Sequence, residues 1–377
     1  MPSETIPDKI HVRSYQPGDE RWLIPLLGTF YTHAATESAW RRLYFENPEG
    51  PAMISVAEDH REGVVFGHYS VIPMPLVSFG RRMLAGKGEA AIFDLARLRR
   101  MLAEGFEFPK DLPAKVVAHA LSQAEAKGVA CVLTNPNELA LGSHRAAGFQ
   151  VLPNRFETFV RVGSRRYLEH LLHKQLRNSF WAGLGARAGM GLVGRRLSWK
   201  RRIPARLKMT QERSFEPWIG PLFQRFVDGT SCITIDRTAR HLAWRFPEPE
   251  YRTWRVEEGG FCIGYAVVRT FTNPNGFKEA KLVDFLFLPN VWDRFPSVLD
   301  EVLGVAADES CDLFRVDYLY DGKERFGVSS ILRKFRFISR SDPRNLVLYI
   351  PSSSPAEVLK LQDLQNWMIT DLYFDGY

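Results

Sequence analysis

Short runs rich in β-branched and aromatic residues, bounded by turn residues, predict strands along the first half of the chain. They read HVRSY, MISVAE, VVFGHYSVI, GEAAIFDLARL, VACVLTNPN and FETFVRV. A helical stretch follows the first of them. Pro113 opens a further helix, LPAKVVAHALSQAEAKG, and Gly128 closes it. A short helix, ALGSHRAAG, precedes the last strand. Hairpins followed by a helical crossover predict an α/β fold with a mixed sheet.

The second half repeats landmarks of the first half in the same order, which predicts a duplicated domain. Between Gly67 and Asp94 the step is 27 residues, and between Gly264 and Asp284 it is 20. The next steps, to Phe149 and Phe337, are 55 and 53 residues. The alternative is two unrelated α/β domains that share ordinary strand chemistry. The matched pairs are Phe45-x-x-Pro48 with Phe246-x-x-Pro249, Phe66-Gly67 with Ile263-Gly264, Asp94 with Asp284, and Phe149 with Phe337.

We therefore expect four parts in the chain. Residues 1–160 form an N-terminal α/β domain, and residues 213–350 form a second one. Between them, 161–212 is a basic linker with a glycine-rich run. The tail 351–377 carries aromatic residues that predict docking onto the body.

Composition is that of an ordinary globular protein, with 45% hydrophobic and 25% charged residues in 377. The four cysteines stand singly, so neither a disulfide framework nor a zinc site is indicated, and we expect no metal. The N-terminus lacks the pattern of a signal peptide, and no apolar run reaches the ~20 residues of a membrane span. We expect a cytoplasmic protein.

Positive charge is concentrated in the middle of the chain. Residues 161–213 hold 14 Lys and Arg against two acidic residues, a local charge of +12, so the rest carries −5. Three interpretations compete: an exposed linker, contact with an anionic membrane surface that would make the protein peripheral, or contact with an RNA backbone.

The first half resembles the GNAT superfamily of N-acyltransferases, most specifically in NPNELALGSHRAAGFQVL, where a strand, a short helix and Gly-Phe follow one another. The resemblance covers 11–160 well and 213–350 more loosely. It implies two GNAT-like domains in tandem, each a central mixed β-sheet flanked by helices. It also implies an acyl-CoA cosubstrate, acetyl-CoA first, in a cleft between the two central parallel strands. A substrate amine attacks its thioester.

The cofactor loop of the superfamily reads Gln/Arg-x-x-Gly-x-Gly/Ala, and the matching stretch 99–113 has no such glycines. Asp111 stands at the expected N-cap of the following helix, where its charge would repel a phosphate. The resemblance leaves Arg97, Arg99, Arg100 and Lys110 as phosphate contacts, with solvated surface charges as the alternative. The remaining cofactor candidates are Leu95 and the two amides that flank Pro136, Asn135 and Asn137, for which an Asx turn is the alternative.

Two residues are candidates for catalysis. His144 occupies the place where the superfamily often has a tyrosine that protonates the leaving thiolate, and a histidine can do the same. The second copy has Leu332 there. Glu89 on the central strand is a candidate base for the ammonium proton. A surface histidine and a strand-end charge are the alternatives.

Three residues are candidates for substrate binding. Asp94 lies in an apolar strand run, where a charge needs a partner. We read it first as a structural hydrogen-bonding group and second as a site for the substrate ammonium. His68 and Tyr69 follow Gly67 on a strand that faces the same cleft, with strand packing as the alternative.

These observations predict an acyl-CoA-dependent N-acyltransferase that acts on a primary amine of a small molecule or peptide, with its site in the first copy. One alternative is a non-catalytic binding protein with a degenerate cofactor loop. The other is a tRNA-dependent aminoacyl transferase of the Fem type, which is also a tandem GNAT-like protein and would use the basic segment.

Overall fold

The computed structural model describes residues 10–29, 36–106, 108–153, 155–176, 206–247, 249–320, 326–341, 345–352 and 360–373. Much of the basic segment 161–212 lies outside the described residues, from 177 to 205. Its three interpretations therefore stay predictions. Within the described ranges, no helix has the length and apolarity to cross a lipid bilayer.

The strands are numbered in chain order. They are β1 (Ile10–Ser14), β2 (Met53–Asp59), β3 (Val64–Ser78), β4 (Arg81–Phe93), β5 (Val132–Thr134), β6 (Gln150–Val151), β7 (Arg155–Val162), β8 (Leu207–Glu212), β9 (Ile233–Ile235), β10 (Tyr251–Glu258), β11 (Phe261–Thr272), β12 (Lys278–Phe287), β13 (Leu313–Tyr320), β14 (Ile338–Ser341) and β15 (Val347–Tyr349).

The α-helices are numbered in the same way, and short 3-10 turns lie at Pro289–Arg294, Leu364–Asn366 and Asp371–Tyr373. The helices are α1 (Glu20–Gly28), α2 (Glu37–Tyr44), α3 (Leu95–Ala103), α4 (Leu112–Ala126), α5 (Glu138–Ala146), α6 (Arg165–Leu176), α7 (Ile219–Gly229), α8 (Ala239–Arg245), α9 (Phe295–Asp308) and α10 (Val328–Lys334).

Two mixed sheets form the body of the molecule. The first has the order β1-β2-β3-β4-β5-β15-β6, with β9 also paired to β3. The second has the order β14-β7-β13-β12-β11-β10-β8. Each sheet has one parallel pair at its centre, β4 with β5 and β12 with β13, and the other pairs are antiparallel. This confirms the predicted mixed α/β architecture with two sheets.

Each sheet contains strands from the other half of the chain, and one of them is β9, which pairs with β3 in the first sheet. The strand β7 pairs with β13 and β14 in the second sheet, and β15 pairs with β5 and β6 in the first. The sequence analysis took FETFVRV as the last strand of the first half, but this strand belongs to the second sheet. A strand pattern identifies a strand and not its neighbours, so the exchange is not visible in the sequence.

The register of the sheets shows that the repeat is real. Gly67 pairs with Phe93 in the first sheet, and Gly264 pairs with Phe287 in the second. The amide of Phe149 donates to the carbonyl five residues earlier, and the amide of Phe337 does the same. Helices α2 and α8 also match, since each has a threonine N-cap and ends at a phenylalanine.

One predicted pair of the repeat is wrong. Asp284 lies inside β12, three residues before Phe287, whereas Asp94 follows Phe93 directly and lies beyond the end of β4. The Asp94 carboxylate accepts the amide proton of Arg97 at 3.0 Å and caps α3. The two carboxylates therefore occupy different positions in their sheets. A single acidic residue in an apolar run is too little information to align the two strands.

The described part of the tail packs into the core. Leu361, Met368 and Leu372 are buried in a cluster that spans residues from both sheets. The amide of Met368 donates to the carbonyl of Ile233 at 2.8 Å. Because this cluster joins the tail to strands of both halves, the tail lies where it can close openings in either sheet.

The paired glycines Gly67 and Gly264 give a test of the duplicated register. A Cβ on Gly67 would meet the Phe93 ring at 2.5 Å, and a Cβ on Gly264 would meet the Phe287 ring at 2.4 Å and the Leu286 carbonyl at 2.6 Å. We expect Gly67→Ala and Gly264→Ala to lower the free energy of unfolding by about 1–3 kcal/mol. Gly264→Ala should cost more, because a backbone oxygen moves less readily than a ring. Urea unfolding measures this difference, and equal stability of both variants with the parent would contradict the packing.

Candidate functional site

The first sheet opens where β4 and β5 separate. Their parallel pairing covers Gly86 with Val132 and Lys87 with Leu133. Just beyond it, the Thr134 hydroxyl donates to the Gly88 carbonyl at 2.8 Å. The register of β4 then shifts at a bulge in which Ala90 has a φ of 57°. Open α/β sheets bind ligands at the carboxyl ends of neighbouring parallel strands, so this opening is the candidate site.

Tyr69 reaches into the opening from β3. A Cβ on Gly88 would lie 2.1 Å from its phenol oxygen, so only glycine leaves room for the ring. The phenol is buried, and it has no hydrogen-bond partner among the described residues. Burial and the charge of Glu89 raise the pKa of Tyr69, so the hydroxyl keeps its proton and remains a donor. A buried donor without a partner is rare and calls for an explanation.

His144 lies against Tyr69 on α5. The two rings meet edge to face at 5.4 Å, and the His144 ring also contacts Phe149 at 5.1 Å. Its Nδ1 lies 2.7 Å from the Ala140 carbonyl, which only accepts, so Nδ1 carries the proton. Burial lowers the pKa of His144, which keeps the ring neutral. In this tautomer Nε2 has a lone pair and no proton to give to a leaving thiolate.

Glu89 lies on the opposite face of β4 from this opening. It alternates along the strand with Gly88, which faces Tyr69. The Glu89 carboxylate is 12% exposed and accepts from the Nζ of Lys87 at 2.7 Å. A largely buried carboxylate that is held by one lysine is placed to take a proton from an amine on this face.

His68 and Tyr69 were expected to face one cleft, and this expectation is wrong. Neighbouring residues on a strand point to opposite faces. The His68 ring meets Tyr44 of α2 at 5.8 Å, on the face away from Tyr69. Its Nδ1 donates to the Ala90 carbonyl at 2.9 Å, and its Nε2 is buried without a partner among the described residues. Burial lowers the pKa of His68 to about 4, so its Nε2 is a neutral acceptor.

Arg97 is not available to a phosphate, which corrects the expectation from sequence. Its guanidinium is buried and donates to Asp59 at 3.1 Å and to Glu62 at 2.5 Å. These pairs tie α3 to the turn after β2. The charge of Arg97 is therefore used inside the protein.

The other cationic candidates are free to bind an anion. Arg99, Arg100 and Lys110 are exposed, and their side chains make no hydrogen bond or ion pair to any residue that the structure describes. Leu95, the first residue of α3, is 57% exposed. These four residues follow β4 in the chain.

Asp111 occupies the N-cap position of α4, as expected, but its carboxylate makes no hydrogen bond to the first turn. It pairs instead with Lys115 at 3.3 Å. Free N–H groups at a helix start attract anions. The N-terminus of α4, close to Lys110 in sequence, therefore keeps donors that a capping carboxylate would have taken.

Of the two amides, Asn137 caps α5. Its side-chain oxygen accepts from the amide of Ala140 at 2.9 Å, which is the Asx arrangement considered above. Asn135 is half-buried just after β5, at the edge of the opening. The site residues that sequence reasoning missed are Thr134, Lys87 and Gly88.

The second sheet has lost the polar groups of this opening. Val71, four residues after Gly67, pairs with Gly88, and Val268, four residues after Gly264, pairs with Leu282. Leucine therefore replaces glycine at the matching position. By the same count, Ala266 replaces Tyr69. Leu332, five residues before Phe337, replaces His144, five residues before Phe149. The three replacements leave an apolar surface without a donor.

The other face of the second sheet is closed by a buried ionic network. Asp284 accepts from Arg237 at 2.9 and 3.1 Å and from the hydroxyl of Tyr265. It also accepts from the hydroxyl of Thr370, in the tail, at 2.7 Å. All of its partners belong to the chain itself.

Lys281 is the counterpart of Lys87, and it also meets the tail. It pairs with Asp317 at 3.3 Å and with Asp371. Lys87 pairs with a carboxylate of its own strand, Glu89, whereas Lys281 is held by carboxylates from β13 and the tail. The tail thus occupies the face of the second sheet that matches the Glu89 side of the first.

Comparison with solved structures shows which fold this is. The chain is similar to a GCN5-related N-acetyltransferase from Anabaena variabilis, with a TM-score of 0.58, 12% identity, and coverage of 90% of this chain and 72% of that one. It is similar to a probable N-acyltransferase of Enterococcus faecalis, with a TM-score of 0.58, 10% identity, and coverage of 90% and 72%. Against Saccharomyces cerevisiae N-myristoyltransferase with bound myristoyl-CoA and inhibitors, the TM-score is 0.59, the identity 11%, and the coverage 91% and 80%.

No protein-family model matches the sequence, and no curated protein matches it. The fold is nevertheless established, because similarity extends over both sheets. The chain has the GNAT fold in a tandem arrangement, as the resemblance implied, with strands exchanged between the copies.

Proposed function

We propose that the chain is an acyl-CoA-dependent N-acyltransferase whose catalytic site is the opening between β4 and β5. Its acceptor is a primary amine of a small molecule or peptide. Acetyl-CoA is the donor to test first. The four cysteines are free thiols, which is compatible with a reaction in the cytoplasm.

The unpaired hydroxyl of Tyr69 above Gly88 is the observation that carries this proposal. It is a protonated donor, fixed by packing against His144, and it points into the separation of the central strands. Leaving such a group unpaired costs about 1–3 kcal/mol, and a bound ligand with an acceptor oxygen or sulfur would remove that cost.

Acyl-CoA supplies an activated thioester carbonyl when it is bound. Tyr69 donates a hydrogen bond to the carbonyl oxygen of the thioester, which gains negative charge when the amine adds to the carbonyl carbon. His144 holds the Tyr69 ring in place. Arg99, Arg100 and Lys110 attract the phosphates, together with the uncapped start of α4.

The acceptor amine approaches from the other face of β4. Glu89 takes the ammonium proton, and Lys87 holds its carboxylate in position. His68 offers a buried, neutral acceptor on the same face. Donor and acceptor thus meet from opposite faces at the bulge of β4, where β4 and β5 separate.

Tyr69→Phe tests this assignment. We expect kcat to fall by about 10²–10³-fold, the usual effect of losing one donor to a developing negative charge. The free energy of unfolding should stay the same or rise, because only an unpaired buried hydroxyl is removed. Release of free CoA thiol from acetyl-CoA with a panel of amines measures turnover, and chemical unfolding measures stability.

Binding is tested separately by thermal unfolding with acetyl-CoA and longer acyl-CoA molecules. A ligand at 100 times its dissociation constant adds ~2.7 kcal/mol of stability. Removing Arg99 and Arg100 together should weaken this effect. The proposal fails if no acyl-CoA stabilises the protein, or if Tyr69→Phe retains full turnover.

A further inference from the structure

A long groove opens on the second half, between α9 and α10. Its volume is about 1340 Å³, and it follows α9 from Pro296 to Asp308, a helix length of about 18 Å. The end of β7 and the start of β13 form its other wall. None of the residues proposed above for acyl transfer lines it. It is therefore a separate site.

Small and apolar side chains form most of the groove wall. They include Leu303, Ala307, Leu313, Phe314 and Ile331. At Gly304, in the middle of α9, an added Cβ would meet no atom within 4 Å. The helix thus leaves open, apolar space along its length, and such space suits an apolar chain better than a compact polar ligand.

Three cations line the groove as well. Arg161 ends one wall, and Lys334 and Arg336 lie at the end of α10. Their side chains make no hydrogen bond or ion pair within 4.0 Å to another described residue. Burial lowers the pKa of Arg161; Arg336 adds to this effect and Asp300 opposes it. Arg161 and Arg336 therefore repel each other here, and the carboxylate of Asp300 opposes the effect on Arg161.

The backbone of Arg336 supports a role for its side chain. It has a φ of 64°, a left-handed conformation that an arginine adopts at a cost of about 1–3 kcal/mol. At the matching position the first copy has Gly148, with a φ of 98°. Glycine suffices for this turn, so the arginine is present for a reason other than the turn.

We propose that the groove binds a single-chain amphiphile with an anionic head group. Its apolar chain lies along α9 beside Gly304. Its carboxylate or phosphate is bound by Arg161, Lys334 and Arg336.

The acidic residues of the groove fix the orientation. Glu301 and Asp308 are exposed on α9, and they repel an anion from that side. Asp300 offsets part of the charge of Arg161, so the head group lies at the end where Lys334 and Arg336 add their charges to that of Arg161. The chain's own segment 177–205 has seven Lys and Arg and no acidic residue. Charge complementarity therefore favours a separate anionic ligand at this end.

Calorimetric titration of the full chain with myristate, below its micellar concentration, tests the proposal. We expect one molecule bound per chain. Myristyl phosphate should bind comparably, because both heads present anionic oxygens. Myristyl alcohol, which lacks the charge, should bind at least 10-fold more weakly, and inorganic phosphate should show no measurable heat.

Two variants test the site without harming the fold. Gly304→Leu fills the groove and improves helix propensity, and Arg336→Gly removes a cation and relieves a left-handed backbone. Both should unfold at the same temperature as the parent or higher, yet bind myristate at least 10-fold more weakly. Gly220→Leu on α7 and Arg213→Gln are matched controls outside the groove, and both should bind normally.

Full myristate affinity in Gly304→Leu would overturn the proposal. Equal binding of myristyl alcohol, or binding of phosphate alone, would do the same, because the site would then recognise only a chain or only an anion. Self-association of the protein that is lost in Gly304→Leu, without myristate binding, would assign the groove to a second copy. The outcome is independent of acyl transfer, which Gly304→Leu should leave unchanged.

Discussion

Glu89→Gln should lower kcat by about 10²–10⁴-fold, the range expected when a positioned general base is lost. The change is isosteric, and the amide oxygen of glutamine can still accept from Lys87, which now lies 2.7 Å from the carboxylate. We therefore expect KM for acyl-CoA to stay within about twofold, because the thioester lies on the other face of β4. Steady-state kinetics with varied acyl-CoA and amine separates the two effects.

Turnover and stability together distinguish a base from a merely structural residue. If Glu89 accepts the proton, kcat should fall in Glu89→Gln while the variant unfolds at the temperature of the parent. Glu250→Gln is the matched control, since Glu250 pairs with Arg269 on the surface of the second half. Unchanged kcat in Glu89→Gln would remove Glu89 from the reaction.

Strand and helix patterns predicted the duplicated mixed sheet because they are local. Gly67 and Gly264 mark equivalent positions for a steric reason that the sequence preserves, namely the contact with Phe93 and Phe287. The strand exchange could not be predicted in this way. Whether β7 pairs with β5 or with β13 depends on the path of the chain between the halves, and residue pattern carries no record of it.

The candidate site was predicted in part. Tyr69, His144 and Glu89 were identified, but Gly88, which leaves room for the Tyr69 ring, and Lys87, which pairs with Glu89, were not. The run Gly86-Lys87-Gly88-Glu89 does carry a signal, since two glycines alternate with two charges on a strand. Such alternation leaves one face of β4 bare and places a charge pair on the other. Arg97 was misassigned because its acidic partners, Asp59 and Glu62, are 38 and 35 residues away in the chain.

The two copies have divided their roles by changing a few positions of one framework. In the first sheet, Gly88 and Tyr69 keep the opening polar. In the second sheet, Asp371 of the tail pairs with Lys281, on the face that corresponds to the Glu89 face of β4, and this tail residue does not cover Glu89. In the second sheet, Leu282 takes the place of glycine and the tail supplies Thr370. We infer that the second opening became a structural core, which anchors the tail.

Asp284→Ala should lower the free energy of unfolding by about 3–5 kcal/mol, because it leaves the guanidinium of Arg237 buried without its anion. Both groups are at most 1% exposed. Arg237 would keep only its bonds to Thr234 and Ile235, at 2.7 and 3.0 Å. Since domains are typically stable by about 5–15 kcal/mol, this loss is a large share of the total. Urea unfolding followed by tryptophan fluorescence measures it.

The double variant Asp284→Leu with Arg237→Met tests the cause of this loss of stability. The cause is either the lost attraction between Asp284 and Arg237 or the burial of Arg237 without an anion. Replacing both partners of a buried pair by apolar residues is often neutral or stabilising, so the double variant should recover most of the stability that Asp284→Ala loses. Arg165→Ala is the control, because the exposed pair of Arg165 with Glu169 on α6 is worth only about 0.3–0.5 kcal/mol. A loss below 1 kcal/mol in Asp284→Ala would mean that water reaches Arg237, and that the tail does not seal the second sheet.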